Sequence, residues 1–317
     1  MYLAHYILKR LLTLIPVLLG ITFIAFGLGR LAPGDPAEEA LGRIGVEVPT
    51  IEQIEEMRET LGLNEPFLRQ YGKWLKKALI GDLGTSYLNN KNISQELVKR
   101  IPITLGVSLL ALSMTLLFGI GLGIIMAIFR GRWVDKCLRV LCVTLLSIPG
   151  FWLAIVMIII FAEELKWLPT SGNGGFKYMV MPAFVLSSST IGTTARMTRA
   201  SLIKELGEHY ILTAQSKGLT QRAITLRHAF MNALMPLLTL IGNYFGGILG
   251  GSAIVESIFA LPGLGSYVLT AITSRDYPIV QGYVLLTGLV YVLVTLGIDL
   301  CYMLMNPKIR LEGGKAK

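Results

Sequence analysis

Six apolar runs dominate the chain, at about residues 11–31, 103–129, 138–161, 178–198, 234–258 and 280–304. Each is too long and too continuous to be an ordinary core helix. A bilayer core ~30 Å thick needs roughly 20 apolar residues in helical form. Only helices or closed barrels cross it with every backbone group satisfied. Of the 317 residues, 53% are hydrophobic and only 15% are charged, and the mean hydropathy is +0.62. A soluble domain of that size needs more polar cover. The reading is an all-α membrane protein with six transmembrane helices.

The first run follows His5, Lys9 and Arg10, as the core of a signal peptide would. It is long enough to span, and no small-residue cleavage site follows, so residues 1–31 read as a cytoplasmic end and a retained first span. Pro33-Gly34-Asp35-Pro36 then denies the helix continuation. Residues 32–102 form a polar insert. Within it Thr50–Leu61 reads as a helix, with Thr50 as N-cap, Gln53 at capping-box spacing and Gly62 as its stop. A second short helix is expected over Phe67–Leu79, then a turn-rich stretch from Gly81 to Tyr87. The insert is a small folded cap rather than a linker.

Positive charge assigns the sides. Arg130, Arg132, Lys136 and Arg139 lie between the second and third spans, and Arg196, Arg199, Lys204, Lys217, Arg222 and Arg227 between the fourth and fifth. Lys308, Arg310, Lys315 and Lys317 form the tail, 305–317. The other short connections are nearly balanced, with Glu163, Glu164, Lys166 and Lys177 in one and Arg275 beside Asp276 in the next. Both termini are therefore expected in the cytoplasm and the insert outside. The net charge of +9 belongs to cytoplasmic loops rather than to nucleic-acid binding, since no aromatics interleave with the basic residues.

Helix breakers interrupt several spans: Ser147-Ile148-Pro149-Gly150 in the third, Pro182 in the fourth and Pro236 entering the fifth. The fifth is glycine-dense, and Gly246/Gly250 and Gly247/Gly251 are each four apart. That spacing gives a smooth face for close helix approach, within the chain or against a second, similar subunit. Polar residues inside a membrane are costly and often functional. Ser188, Asn243, Gly246, Gly247 and Gly250 are the candidates for a translocation path. Glu256 reads as a residue that caps or pairs near the outer end.

Cys137, Cys142 and Cys301 form no CxxC pair and read as small apolar packing residues. His5, His209 and His228 are widely spread, and no HExxH, GxSxG or P-loop occurs. No metal or other cofactor is expected on the chain. Between the fourth and fifth spans, Glu208–Pro236 is basic yet helical in pattern. Thr213-Ala214-Gln215-Ser216-Lys217-Gly218 ends one helix at a glycine break, and a second helix is expected from about Thr220. A helix-turn-helix at a membrane surface suits docking to something soluble.

These blocks resemble binding-protein-dependent ABC importer permeases, most of all the dipeptide/oligopeptide/nickel branch. The resemblance rests on Arg199-Ala200-Ser201-Leu202, Tyr210 to Leu219, Arg227-His228-Ala229 and Asn232 to Pro236. It rests also on Ala32 to Pro36, Gly81 to Ser86, Ile254 to Phe259 with Pro262 to Gly265, and Arg275 to Gly282. It covers essentially the whole chain in order. Three positions depart from the pattern. Leu212-Thr213-Ala214 stands where the general signature has Glu-Ala-Ala, and Gln215 stands where this branch more often has arginine.

The resemblance implies a type I importer fold and a bacterial or archaeal cytoplasmic membrane. The permease core would be residues 103–304, with a cytoplasmic coupling loop at 199–233. Tyr210, Thr213, Ala214, Gln215, Lys217, Gly218, Leu219 and Arg222 would meet an ATPase, with Ala214 allowing close docking. The expected partners are a second related permease, two ATP-binding subunits that carry ATP and Mg, and an extracytoplasmic solute-binding protein. Di- or oligopeptide import is the first reading and nickel or metal-chelate import the alternative. A polytopic membrane enzyme or an ATP-independent channel is the remote one.

Overall fold

The computed structural model describes residues 2–31, 35–43, 45–46, 48–87 and 89–305, and among them it contains helices and one isolated bridge between Thr85 and Asn92. The helices are α1 (Tyr2–Leu31), α2 (Pro36–Arg43), α3 (Ile51–Thr60), α4 (Phe67–Leu79), α5 (Ile93–Ile128) and α6 (Trp133–Ser147). They continue with α7 (Gly150–Glu164), α8 (Phe176–Leu206), α9 (His209–Ser216), α10 (Gln221–Ile258), α11 (Leu264–Thr273) and α12 (Tyr277–Met305). The chain divides into two compact units: residues 1–102 with 263–292, and residues 103–262 with 293–317.

In the first unit the insert forms by local rules. Thr50 caps α3 in a complete capping box: its side chain accepts from Gln53 N at 3.3 Å, and Gln53 Oε1 accepts from Thr50 N at 2.9 Å. Gly62, at φ +69°, ends the helix. α4 lays Phe67 and Tyr71 edge-on against Phe23 of α1 at 5.3 Å, and Trp74 against Phe26 in a tilted contact at 6.1 Å. The other face of α4 carries Lys73, Lys76 and Lys77. Part of the expected stop after the first span, Pro33 and Gly34, lies outside the described residues. Asp35 starts α2, accepting from Ala37 N at 3.0 Å, a helix the sequence reading omitted.

The same unit buries Ile93 and Leu97 of α5 with Leu264 and Ala271 of α11 and Ile279 of α12. Gly282 permits this packing, because a Cβ there would lie 3.1 Å from Ile93 and 3.2 Å from Leu83. Ser86 Oγ donates to Asp276 Oδ2 at 2.6 Å, and Tyr87 N donates to Oδ1 at 3.2 Å. Asp276 is fully buried, so this pair pins the turn after Gly81 to the start of α12. Hydrogen bonds to a charged acceptor contribute about 1.5–3 kcal/mol each. Asp276→Ala is therefore expected to speed hydrogen exchange at residues 83–94 by more than tenfold while leaving α8 amides unchanged.

In the second unit α8 is the central helix, packed against α10, α6 and the later part of α5. Its buried Met181, Val185, Ile191 and Ala195 alternate with buried Ser187, Ser188, Thr194 and Thr198. Close approach comes from glycines on its neighbours. A Cβ at Gly119 would sit 2.8 Å from Thr194, and one at Gly123 would sit 2.4 Å from Thr198 and 2.7 Å from the Ala195 carbonyl oxygen. α5 takes a π turn over Thr115–Ile120, where Thr115 and Thr190 hydroxyls meet at 2.7 Å. Glu256, fully buried on α10, accepts from Thr104 Oγ1 at 2.7 Å.

The expectation of six spans is met in part. Among the described residues three helices are long and apolar enough to cross a membrane: Ile93–Ile128, Gln221–Ile258 and Tyr277–Leu300. A fourth is available if α6 and α7 count together, although they bend by 103° at Ile148-Pro149. Proline pushes the residue before it out of the helical region, and Ile148 sits at ψ 123°. α1 offers a shorter apolar stretch, Ile15–Gly29. α8 is long enough, but its run of serines and threonines from Ser187 to Thr194 lowers its hydropathy.

Candidate coupling loop and helix face

α8 runs on to Leu206 and turns at Gly207; Glu208, in extended backbone, starts α9. After Ser216 the chain reverses at Gly218, whose φ of +79° side-chain-bearing residues rarely adopt. Gly218 N donates to Gln215 O at 2.9 Å. Thr220 then caps α10, its hydroxyl accepting from Ala223 N at 3.3 Å. Helix, glycine reversal and capped helix stand where the sequence places them.

This turn is clamped to its own scaffold. Ile211 and Ala214 are buried with Ala127, Leu202, Ile224, Ala229 and Ala233. Tyr210 Oη donates to Glu205 Oε2 at 2.8 Å and accepts from Asn232 Nδ2 at 3.1 Å, joining α9 to α8 and α10. Burial, against the Asn232 hydrogen bond and helped by the Glu205 carboxylate, pushes the Tyr210 phenol up, so it stays a donor. Thr213, Gln215, Lys217, Gly218, Leu219 and Arg222 are exposed, as is Leu212 at 61%. Ala214 points the other way, at 8% exposure, so its small side chain lets α9 settle on its own helices.

One ion pair near this loop escaped the sequence reading. Asp135, fully buried at the start of α6, takes Arg199 of α8 in two-pronged fashion: Nε to Oδ1 at 2.7 Å and Nη2 to Oδ2 at 2.8 Å. Gly131 N donates to the same carboxylate at 3.0 Å, and Arg139 Nε lies 3.4 Å away. The sequence reads Arg139 as a topology charge and Arg199 as a topology charge within a matched family block, because nothing local marks their shared partner. The geometry ties the short loop before α6 to the helix that leads into α9.

The second candidate set divides. Asn243, Gly247 and Gly250 occupy one exposed face of α10, with Gly246 half-buried beside them. A Cβ at Gly247 or Gly250 would meet nothing within 4 Å, and at Gly251 only Leu186 at 4.0 Å. Gly242 is closely packed instead: a Cβ there would lie 2.6 Å from Ile298. Ser188 is not on this face: it is buried and donates to Val185 O at 2.9 Å.

Residues 119–311 match the family model for "Binding-protein-dependent transport system inner membrane component". Residues 3–108 match the corresponding N-terminal model. A Brucella abortus (strain 2308) protein carrying the name peptide transport system permease is 38% identical over 314 residues, covering 96% of this chain and 99% of its own length. The glutathione transport system permease protein GsiC of Pectobacterium atrosepticum is 38% identical over 308 residues, covering 97% and 99%. Among solved structures, an inward-facing MetNI methionine ABC transporter chain superposes with a TM-score of 0.57 at 17% identity, covering 66% of this chain and 96% of that one. That last likeness is one of fold.

Proposed function

Because the chain belongs to the binding-protein-dependent transport system inner membrane component family, as an ABC importer permease of the peptide/nickel branch, we propose that it forms half of a translocation path for short peptides. α9 would couple that path to separate ATP-binding subunits, which carry the ATP and Mg. The observation that carries this reading is the construction of α9: one face buried among α5, α8 and α10, the opposite face open. A segment held that rigidly between two long helices transmits a push that a flexible loop would absorb.

The remaining pieces take matching roles. Six spans with both termini inside would place residues 1–102 with 263–292 partly outside, where the lysine face of α4 meets a solute-binding protein. The open Asn243–Gly247–Gly250 face would meet a second, related permease across the path. Relatives named for peptide and for glutathione, itself a tripeptide, support peptide cargo over a metal chelate. In the assembled transporter, ATP-dependent uptake of labelled di- and tripeptides is expected, with no uptake of nickel chelates. Uptake of nickel alone would replace the peptide reading by the metal one.

A further inference from the structure

A groove of about 950 Å³ lies in the elbow between α6 and α7, and neither the coupling loop nor the open face of α10 uses it. We propose that this groove binds an anionic phospholipid. Lys136 and Arg139 of α6 and Arg196 of α8 stand at one end. Beyond them Val140, Val143, Ile148, Phe151 and Trp152 make an apolar floor that runs to the bend. Val140 is 67% exposed and Trp152 51%, so large apolar surface stands open in the groove.

The distribution of polarity selects the occupant. Cations at one end and hydrocarbon along the rest match a phosphate headgroup with an acyl chain; basic pockets between membrane helices hold anionic headgroups by the same physics. A peptide needs hydrogen-bond partners along its length. The two hydroxyls in the floor already donate to their own helix, Thr144 to Val140 O at 3.1 Å and Ser147 to Val143 O at 2.9 Å. Arg139 also leans on Asp135, so Lys136 and Arg196 carry the free part of the charge. The 103° elbow opens the groove; a straight helix through Ile148-Pro149 would leave no hollow for a chain.

The inference needs the membrane setting but not the peptide cargo. The test uses the assembled transporter in vesicles that contain photoactivatable phosphatidylglycerol, or phosphatidylcholine with the same diazirine chain, in both leaflets. Phosphatidylglycerol is expected to label residues 140–152 on the order of tenfold more than phosphatidylcholine. Lys136→Gln with Arg196→Gln is expected to bring the ratio near one, with phosphatidylcholine labelling unchanged as the sign of an intact fold. Lys136→Arg with Arg196→Lys is expected to keep the preference. Equal labelling by the two lipids, or a preference that survives the glutamine pair, overturns the proposal. So does the absence of labelling by either lipid, which would mean protein covers the groove, or displacement of the label by a transported tripeptide.

Discussion

Gly123→Val is expected to leave little folded protein in the membrane. The new Cβ would fall 2.4 Å from Thr198 and 2.7 Å from the backbone oxygen of Ala195. A side chain can turn aside, but a carbonyl in the middle of α8 cannot. Overpacking a tight core typically costs about 1–3 kcal/mol, and contact with backbone puts this case at about 3 kcal/mol or above. Helix association in lipid depends on such close packing rather than on a hydrophobic drive. Gly121, two residues away, has nothing within 4 Å of its Cβ position. Gly121→Ala should therefore be tolerated, gaining up to ~1 kcal/mol of helix propensity. Thermal unfolding of the two variants in detergent separates them: a large drop for Gly123→Val, none for Gly121→Ala.

Asp135→Ala is the second large effect. The substitution leaves the Arg199 guanidinium and the Gly131 N–H without the carboxylate they share. Removing one partner of a buried pair costs about 3–5 kcal/mol. Arg199 keeps 23% of its side-chain surface exposed, so hydration recovers part of that, and about 2–3 kcal/mol is expected. Arg139 is 48% exposed and contributes little. The double change Asp135→Leu with Arg199→Met should be more stable than Asp135→Ala alone, because no charge is left stranded. A double-mutant cycle on unfolding in detergent measures this coupling. If the pair also steadies α9, a transporter assembled with folded Asp135→Ala permease will show less uptake for each ATP that its ATP-binding subunits hydrolyse.

Local signals carried most of what the sequence could say. The capping box at Thr50, the span of α4 and the reversal at Gly218 each depend on a few neighbouring residues, and all three stand in the structure. α11 was hidden because its ten residues were read as part of a connection. The pairings Asp135–Arg199, Thr104–Glu256 and Ser86–Asp276 join residues 64, 152 and 190 positions apart, and no spacing rule reaches that far. Orientation was equally hidden. Ala214 and Ser188 have the right chemistry for exposed roles, yet helix phase turns both inward. Glycine density pointed to α10, whereas backbone approach within this chain occurs at Gly119, Gly123 and Gly192. A glycine pattern shows where helices can meet; the partner surface decides where they do.

The proposed role of α9 is to pass work from an ATPase to the membrane helices. The most direct test measures ATP hydrolysis and peptide uptake together in proteoliposomes of the assembled transporter, for wild type, Leu212→Asp and Gly218→Pro. Leu212 is exposed, so aspartate there should leave the fold intact while spoiling the docking face. Proline at position 218 cannot hold φ +79° and removes the donor to Gln215 O. Both variants are expected to insert normally and to lose uptake at least tenfold, with hydrolysis no longer stimulated by the loaded binding protein. Unchanged uptake in both would contradict coupling through this turn.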